Sequence, residues 1–462
     1  MGYSEFLNCN NLDKQMKINK SKIPAEIKKQ LENARKSSFV LSNLNVTKKN
    51  QILYDLSFKL RASLSEILEE NFKDIINAKK LYELGELSLS LFERVKLTES
   101  KIEQMAVYCE SVAKLTNPNG KIIDATRLDI GLELYKVTCP IGVILMIFES
   151  RPDAVIQISS LGLKSGNAII LKGGKEASFS NRILVKLIRE TINKISDSSV
   201  NSISLVETRV EVNELIKLSQ DLDLIIPRGS NQMVQKIQSK SMVPVLGHAD
   251  GICHVFLDNE GDENKSMSVV LDSKLNYPAV CNSLETLLVH KDFPDSWLAS
   301  ILLKMQESGV ELRVCSETKN RLKSFKSLKL KKAVKQDWKT EYIDLIISVK
   351  SVDSATEAVM HINNFGSKHT DSIVTENKEL AEWFLNAVDS AGVFWNASTR
   401  FADGFRYGLG AEVGVSNGKI HARGPVGLDG LVTYKYKLYG NGQGVGEYSK
   451  GNREFIHEKI NL

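Results

Sequence analysis

The sequence predicts an α/β fold built on parallel, doubly wound sheets. From Gly131 onward, short apolar runs of strand length alternate with segments of helical periodicity. A second series with the same rhythm begins near Asn276. The chain has 462 residues, which suits two or three domains, and its 42% hydrophobic and 25% charged residues match a globular protein with a sizeable core.

The first twenty or so residues, rich in Asn and Lys, read as a disordered leader. Pro24 then suits the first turn of a helix, and Thr47 reads as the cap of the next. Ile52, Leu53, Leu56, Leu60, Leu64 and Ile67 recur at helical spacing in that second helix. From Glu99 to Leu115, Ile102, Met105, Cys109 and Val112 share a face. Gly131–Thr138 and Ile141–Phe148 read as strands. Strands Ala168–Lys172, Ile203–Glu207, Leu224–Pro227 and Ile252–Leu257 follow, with helices at Pro152–Lys164, Glu176–Lys194 and Asn231–Ser239. Such a sheet holds ligands at the carboxyl ends of its strands. The second series has strands Leu284–His290, Leu312–Cys315, Leu345–Val349, Ser372–Thr375 and Val393–Asn396. Leu431–Tyr439 is a lone β-prone stretch, and the glycine-rich run from Gly440 to Gly446 reads as a flexible exit from it.

Several function classes are disfavoured. The net charge of +5 comes from 61 basic and 56 acidic residues without a long basic block, so no nucleic-acid partner is expected. A mildly basic surface suits a small anionic substrate. The six cysteines form neither a CxxC pair nor a Cys/His metal spacing, which argues for reduced thiols, no metal and a cytoplasmic protein. No apolar stretch reaches the length of a membrane span, and the N-terminus lacks the apolar run of a signal peptide. Gly2 opens a myristoylation pattern that fails at Phe6. There is no Walker A loop and no GxGxxG; Gly408 and Gly410 come close, but the next glycine is one residue late.

Cys109 and Cys253 lie in apolar periodic segments and read as core. Cys139 precedes Pro140, Cys9 is in the leader, and Cys315 ends a strand. Cys281 differs: it follows a Tyr277-Pro278 turn and comes just before the strand Leu284–His290. A thiol at a loop-to-strand junction can be exposed in a cleft among backbone amides that favour a thiolate. A nucleophile and an ordinary half-buried thiol are both open at that position.

The blocks VTCPIGVILMIFESRPDA, GNAIILKGGKEASFSN, LIIPRGSNQMV, PVLGHADGICHVFLD, NYPAVCNSLETLLVH, NNFGSKHTDSIVT and NASTRFADGFRYGLGAEVGVSNGKIHARGPVGLDGLVTYKY occur in order. Together they resemble the gamma-glutamyl phosphate reductases of the aldehyde dehydrogenase superfamily, from about Ile23 to about Gly440. The resemblance implies an aldehyde dehydrogenase-like fold, with two doubly wound α/β domains and a small β oligomerisation flap. Residues 1–22 would be the leader, 23–128 with 141–258 the cofactor domain, 259–427 the catalytic domain, 129–140 with 428–440 the flap, and 441–462 a tail. A homo-oligomer, dimer or tetramer, would follow.

The resemblance further implies NADPH-dependent reduction of L-glutamyl 5-phosphate to L-glutamate 5-semialdehyde, in proline biosynthesis, through a thioester on Cys281. Transient contact with glutamate kinase would accompany it. Ser150 stands where oxidising relatives carry an oxyanion-binding Asn; capping the helix that starts near Pro152 is its alternative. Lys172, Gly173, Gly174 and Lys175 match the loop that contacts the adenosine ribose, with Lys175 where an acid of NAD-preferring relatives would stand. Gly229 and Ser230 match the pair that opens a helix under the pyrophosphate. Glu341 matches the glutamate on the nicotinamide ribose. Arg151, Arg400 and Arg406 are candidates for carboxylate and phosphate, Asp403 for the amine, and His369, Thr370 and Ser398 for the pocket lining. His248 and His254 read as structural. Val245 stands where oxidising relatives hold the glutamate that activates water. An oxidising or CoA-acylating relative, and a non-catalytic organiser of a kinase, are the competing readings.

Overall fold

The computed structural model describes residues 25–218, 220–247 and 250–462. The leader, Cys9, Pro24 and His248 lie outside them. Residues up to Gly229, with Lys236–Val245 and Leu431–Leu462, form one unit; Ser230–Gln235 and Leu246–Gly430 form the other. Among the described residues no helix is long and apolar enough to cross a membrane.

In the first unit, four long helices precede the sheets. Val46–Ala62 buries Ile52, Leu53, Leu56 and Leu60. Its cap is Asn45, whose side chain accepts from the N–H of Lys48, so Thr47 is not the cap. The helix also ends sooner than its spacing suggests: a new helix, Leu64–Glu83, starts after Ser63 and carries Ile67. Periodicity runs on across this break because the two helices follow each other directly. Thr98 caps Glu99–Lys114, which buries Ile102, Met105, Cys109 and Val112 as the spacing requires.

β1 (Ile122–Asp129) and β2 (Leu132–Pro140) pair antiparallel around Gly131. Gly131 sits at φ 69, where a side chain would be strained. β1 has exposed and buried residues without clean alternation, which hid it from a pattern reading. β3 (Val143–Phe148), β4 (Ala168–Lys172), β5 (Ile203–Leu205) and β6 (Leu224–Arg228) form a parallel sheet in the order β5-β4-β3-β6. The helices Asp153–Ser165 and Ser178–Ile195 make the crossovers, and β3 is buried throughout.

The second unit holds a seven-stranded parallel sheet. Its strands are β7 (Cys253–Leu257), β8 (Leu284–His290), β9 (Glu311–Val314), β10 (Leu330–Lys332), β11 (Ile346–Val352), β12 (Thr370–Val374) and β13 (Gly392–Trp395), in the order β10-β9-β11-β8-β7-β12-β13. The run Ile252–Leu257 was expected in the first series; β7 instead lies between β8 and β12. A fully apolar run fits either parallel sheet, so its partners are chosen by tertiary packing. β14 (Gly414–Ser416) and β15 (Gly424–Val426) pair as a small antiparallel ribbon.

The chain then returns to the first unit. β16 (Val432–Tyr439) pairs antiparallel with β2 along its whole length, from Val432 opposite Pro140 to Tyr439 opposite Glu133. The tail is not a flexible exit. It forms a helical turn, Val445–Ser449, and β17 (Glu458–Lys459), which pairs with β1. The resulting sheet has the order β16-β2-β1-β17.

Candidate active site

Cys281 lies in the turn between the helix Glu263–Leu275 and β8, half-buried. Tyr277 opens that turn at φ 70. The loop is fixed from three sides, all within the second unit. Gly251 packs flush on it: a Cβ at 251 would fall 2.4 Å from the Cα of Cys281 and 2.2 Å from its carbonyl oxygen. Next to Gly251, the buried Cys253 thiol donates to the same carbonyl at 3.3 Å. From the segment after β13, Thr399 Oγ1 donates to the Asn282 carbonyl at 2.7 Å, and Asn282 Nδ2 donates to the Ala402 carbonyl at 2.9 Å. From the helix end, Ser273 Oγ donates to Ser398 Oγ at 3.1 Å and accepts from the N–H of Thr399.

This lattice brings several predicted residues together. Ser398 caps the turn Thr399–Phe401 by accepting from the N–H of Arg400. Arg400 is buried and donates from Nε to the Asn276 carbonyl at 2.7 Å. Burial, then the charge of Arg406, holds its pKa below the ordinary arginine value, while Cys281 lies close enough to act on it electrostatically. Arg406 donates to the Arg400 carbonyl. Asp403 Oδ1 accepts from the N–H groups of Phe405 and Arg406 and so closes the next turn. His369 and Thr370 are buried at the start of β12, with Nδ1 and Oγ1 2.9 Å apart. Cys281 precedes β8 and touches the start of β7, so this site is at the amino ends of the strands. The doubly wound rule pointed to the other end.

Two features of this unit carry no sequence signal. Lys274 and Glu285 bracket the Cys281 loop and pair at 3.0 Å with both side chains fully buried. Asn231 donates from Nδ2 to Glu341 Oε2 and to Asp250 Oδ1, each at 2.8 Å. Glu341 is thereby held at the start of the helix Asn231–Lys240. Ser230 precedes that helix and accepts its first intrahelical bond, from Val234, while Gly229 and Ser230 are themselves exposed. His254 is buried with Nδ1 2.7 Å from Asp371 Oδ1, in keeping with a structural role.

A second site lies in the first unit, beyond the carboxyl end of β4. A cavity of about 210 Å³ is lined by Gly173, Gly174, Lys175, Asn181, Arg182 and Glu207, among others. A side chain at either glycine would force a neighbouring side chain to move. A Cβ at Gly173 would lie 2.2 Å from Asn181 Nδ2, and one at Gly174 1.8 Å from Glu176 Oε1. Lys172 folds back to donate to the Gly173 carbonyl. Lys175 is exposed, and Arg182 Nε donates to Glu207 Oε1 at 2.8 Å. The sequence reading missed Arg182 and Glu207; β5 brings Glu207 opposite Arg182 only in the folded sheet.

Ser150 is buried at φ 39, and both its hydroxyl and its N–H donate to Glu176 Oε1, at 2.6 and 2.8 Å. It does not cap the following helix, whose N-cap is Pro152. Arg151 is half-exposed and donates to Asp153 Oδ2 at 3.0 Å. Val245 runs beside Ile225 of β6 as a single parallel bridge and offers no titratable group. Among the described residues no group of three His, Cys, Asp or Glu side chains could hold a metal ion.

Known proteins resemble this chain in sequence and fold. The sequence profile of the aldehyde dehydrogenase family matches residues 8–319. A gamma-glutamyl phosphate reductase of Acetivibrio thermocellus is 48% identical over 427 residues, covering 92% of this chain and 96% of its own length. One from Methanococcoides burtonii is 46% identical over 436 residues, covering 94% and 97%. The crystal structure of the Thermotoga maritima gamma-glutamyl phosphate reductase matches with a TM-score of 0.86 at 37% identity, over 91% of this chain and 99% of that one. An acetylating aldehyde dehydrogenase from Geobacillus thermoglucosidasius, 17% identical with a TM-score of 0.61 over 91% and 97%, shares the fold alone. With such likeness over nine-tenths of its length, the chain belongs to the gamma-glutamyl phosphate reductase family within the aldehyde dehydrogenase superfamily.

Proposed function

We propose that this protein reduces L-glutamyl 5-phosphate to L-glutamate 5-semialdehyde and phosphate with NADPH, as a cytoplasmic step of proline biosynthesis. The observation that carries the reading is the fixed loop of Cys281 with the buried Arg400 cation in its electrostatic neighbourhood. The thiolate attacks the γ-acyl carbon, phosphate departs with its electron pair, and a thioester on Cys281 remains. NADPH, when bound, supplies the hydride that brings the thioester carbonyl to the aldehyde level; collapse then returns the thiolate. The Cys281 N–H is one candidate donor to the oxyanion formed at each stage. Ser150 could serve only by giving up Glu176.

Arg151, Arg400 and Arg406 are proposed for the substrate's carboxylate and phosphate and Asp403 for its amine, with His369, Thr370 and Ser398 as pocket lining. The residues of the cavity beyond β4 fit an adenosine 2′-phosphate: glycines make room, and Lys175 and Arg182 outnumber Glu207. Lys172, Gly173, Gly174 and Lys175 would hold that end, Gly229 and Ser230 the pyrophosphate, and Glu341 the nicotinamide ribose. The first unit would thus hold the adenosine end of the cofactor, and the second carries Cys281. Homo-oligomerisation through the β16 sheet and transient contact with glutamate kinase belong to the same proposal.

The test is the reverse reaction. With glutamate 5-semialdehyde, phosphate and NADP⁺, the unmodified protein should produce NADPH, and Cys281→Ala should not. Failure of the unmodified protein, or normal turnover by Cys281→Ala, would overturn the reading.

A further inference from the structure

The antiparallel sheet of the first unit has two outer strands of different kinds. β16 is eight residues long, and among the described residues its only partner strand is β2. β1 is covered on its outer side by the end of its own chain. Thr126 stands opposite Lys459 and Arg127 opposite Glu458. The N–H of Ile456 donates to the Leu128 carbonyl at 2.8 Å, and that of Ile460 to the Ala125 carbonyl at 3.0 Å.

A two-residue strand holds weakly through its backbone alone, yet this one is anchored repeatedly. Arg127 pairs with Glu458 at 2.6 Å and Lys459 with Asp124 at 2.7 Å. Arg453 reaches Asp129 at 2.7 Å, and the Tyr448 hydroxyl donates to the same carboxylate at 2.8 Å. These two bonds hold the Asp129 carboxyl below its usual range, together with the N–H of Ile130. Gln443 Nε2 donates to the carbonyls of Ile130 and Gly131 at the β1–β2 turn. Within the tail, Phe455 stacks on Tyr448 at 4.2 Å and on His457 at 5.1 Å, which gives the segment a shape of its own.

Without this cover, β1 would present unpaired N–H and C=O groups beside the exposed Ile122 and Ile123. Such an edge is a template for another strand. A second copy of the chain is the matching partner, because two identical β1 edges can pair antiparallel about a two-fold axis. We propose that residues 441–462 act as an intramolecular edge strand that closes β1 to a second copy, so that this sheet can take up a partner strand only along β16. The proposal deepens the assembly part of the function above and is independent of Cys281 and the cofactor.

Two chains test it: one lacking residues 441–462, and the full chain with Ile456→Pro and Ile460→Pro, which removes both backbone donors. Molar mass would be followed by light scattering and sedimentation over a wide concentration range. Circular dichroism would report folding, and hydrogen exchange at residues 125–128 would report release of the edge. Tail release should at least double the assembly mass at high protein concentration, and a synthetic peptide of residues 441–462 should reverse the change in the deleted chain. A folded chain with exchanging β1 amides and unchanged mass would overturn the proposal, as would a mass increase that the peptide leaves in place. If the deleted chain does not fold, the double-proline chain decides by its mass. A monomeric full-length protein would remove the reading of β16 as an interface, yet doubling on tail release would still support the role of the tail.

Discussion

Lys274 and Glu285 face each other with no access to water, on either side of the loop that carries Cys281. Burial pushes the Glu285 carboxyl up to about 8 against the opposing pull of Lys274, and the lysine is lowered in turn. Removing Lys274 leaves the protonated Glu285 carboxyl buried without its partner, which costs about 1–3 kcal/mol, whereas an apolar replacement of both is often tolerated. Lys274→Met should therefore unfold at clearly lower denaturant, and Lys274→Met with Glu285→Leu should recover most of the loss. The sign with pH follows from the raised carboxyl. Between about 4.5 and 8 the folded chain holds a proton that the unfolded chain releases, so this group's contribution to stability falls as pH rises through that window. Without the pull of Lys274 the fall should extend above pH 8; a flat profile in Lys274→Met would contradict it. In the cavity beyond β4, Lys175→Glu should weaken NADPH binding relative to NADH at least tenfold, since one charge-assisted contact is worth roughly 1.5–3 kcal/mol. Equal use of both cofactors by the unmodified protein would refute that assignment. The junction before β8 was legible because it is a local feature, while the choice of Cys281 as nucleophile came from the resemblance alone. Arg182 with Glu207, and Lys274 with Glu285, were not legible, because one pair forms between a helix and the segment after β5 and the other across a loop.

Among the elements, long periodic segments were read well and pairings were not. Glu99–Lys114 buries the residues its spacing names, yet β7 was assigned to the wrong sheet and the break at Ser63 was missed. Helix ends show another feature that the pattern hides. Lys164, in the last turn of Asp153–Ser165, donates to Asn50 and to the Ala113 carbonyl near the end of Glu99–Lys114. The buried Lys49 lies beside Gly166, the C-cap of the first of these helices, where carbonyls favour cations. Burial and then the charge of Lys164 lower Lys49 to about 8. Its protonated form is disfavoured in the fold by about 3 kcal/mol. That cost is complete below pH 8 and fades as pH rises toward 10.5, so stability from this group rises across that window. Lys49→Met should raise the melting temperature at pH 7 and lose this rise; thermal unfolding at several pH values would check both.

For the whole molecule, the family was legible because seven blocks occur in one order between Val137 and Tyr436, and the α/β class because strand-length apolar runs alternate with helical segments. The course of the tail was not, since a glycine-rich segment gives no hint of the strand it reaches. The overall reaction can be judged on one balance. On the proposed function Val245 would stand where relatives hold a water-activating glutamate, so phosphate and not water should release the acyl group. Semialdehyde oxidation without phosphate should therefore stop after about one turnover, and glutamate should not accumulate; sustained turnover to glutamate would show a hydrolytic base.

The pairing of β2 with β16 also bears on how the protein is made. β2 ends at Pro140, and its partner begins at Val432. All of the second unit lies between them or just before the end of that interval. At about 5–20 residues per second, β2 waits roughly 15–60 s on the ribosome for its neighbour. During that time the segment Leu246–Gly430 can leave the exit tunnel and fold as a body, while the earlier unit still lacks a strand. The part of the chain that emerges first is the part that finishes last.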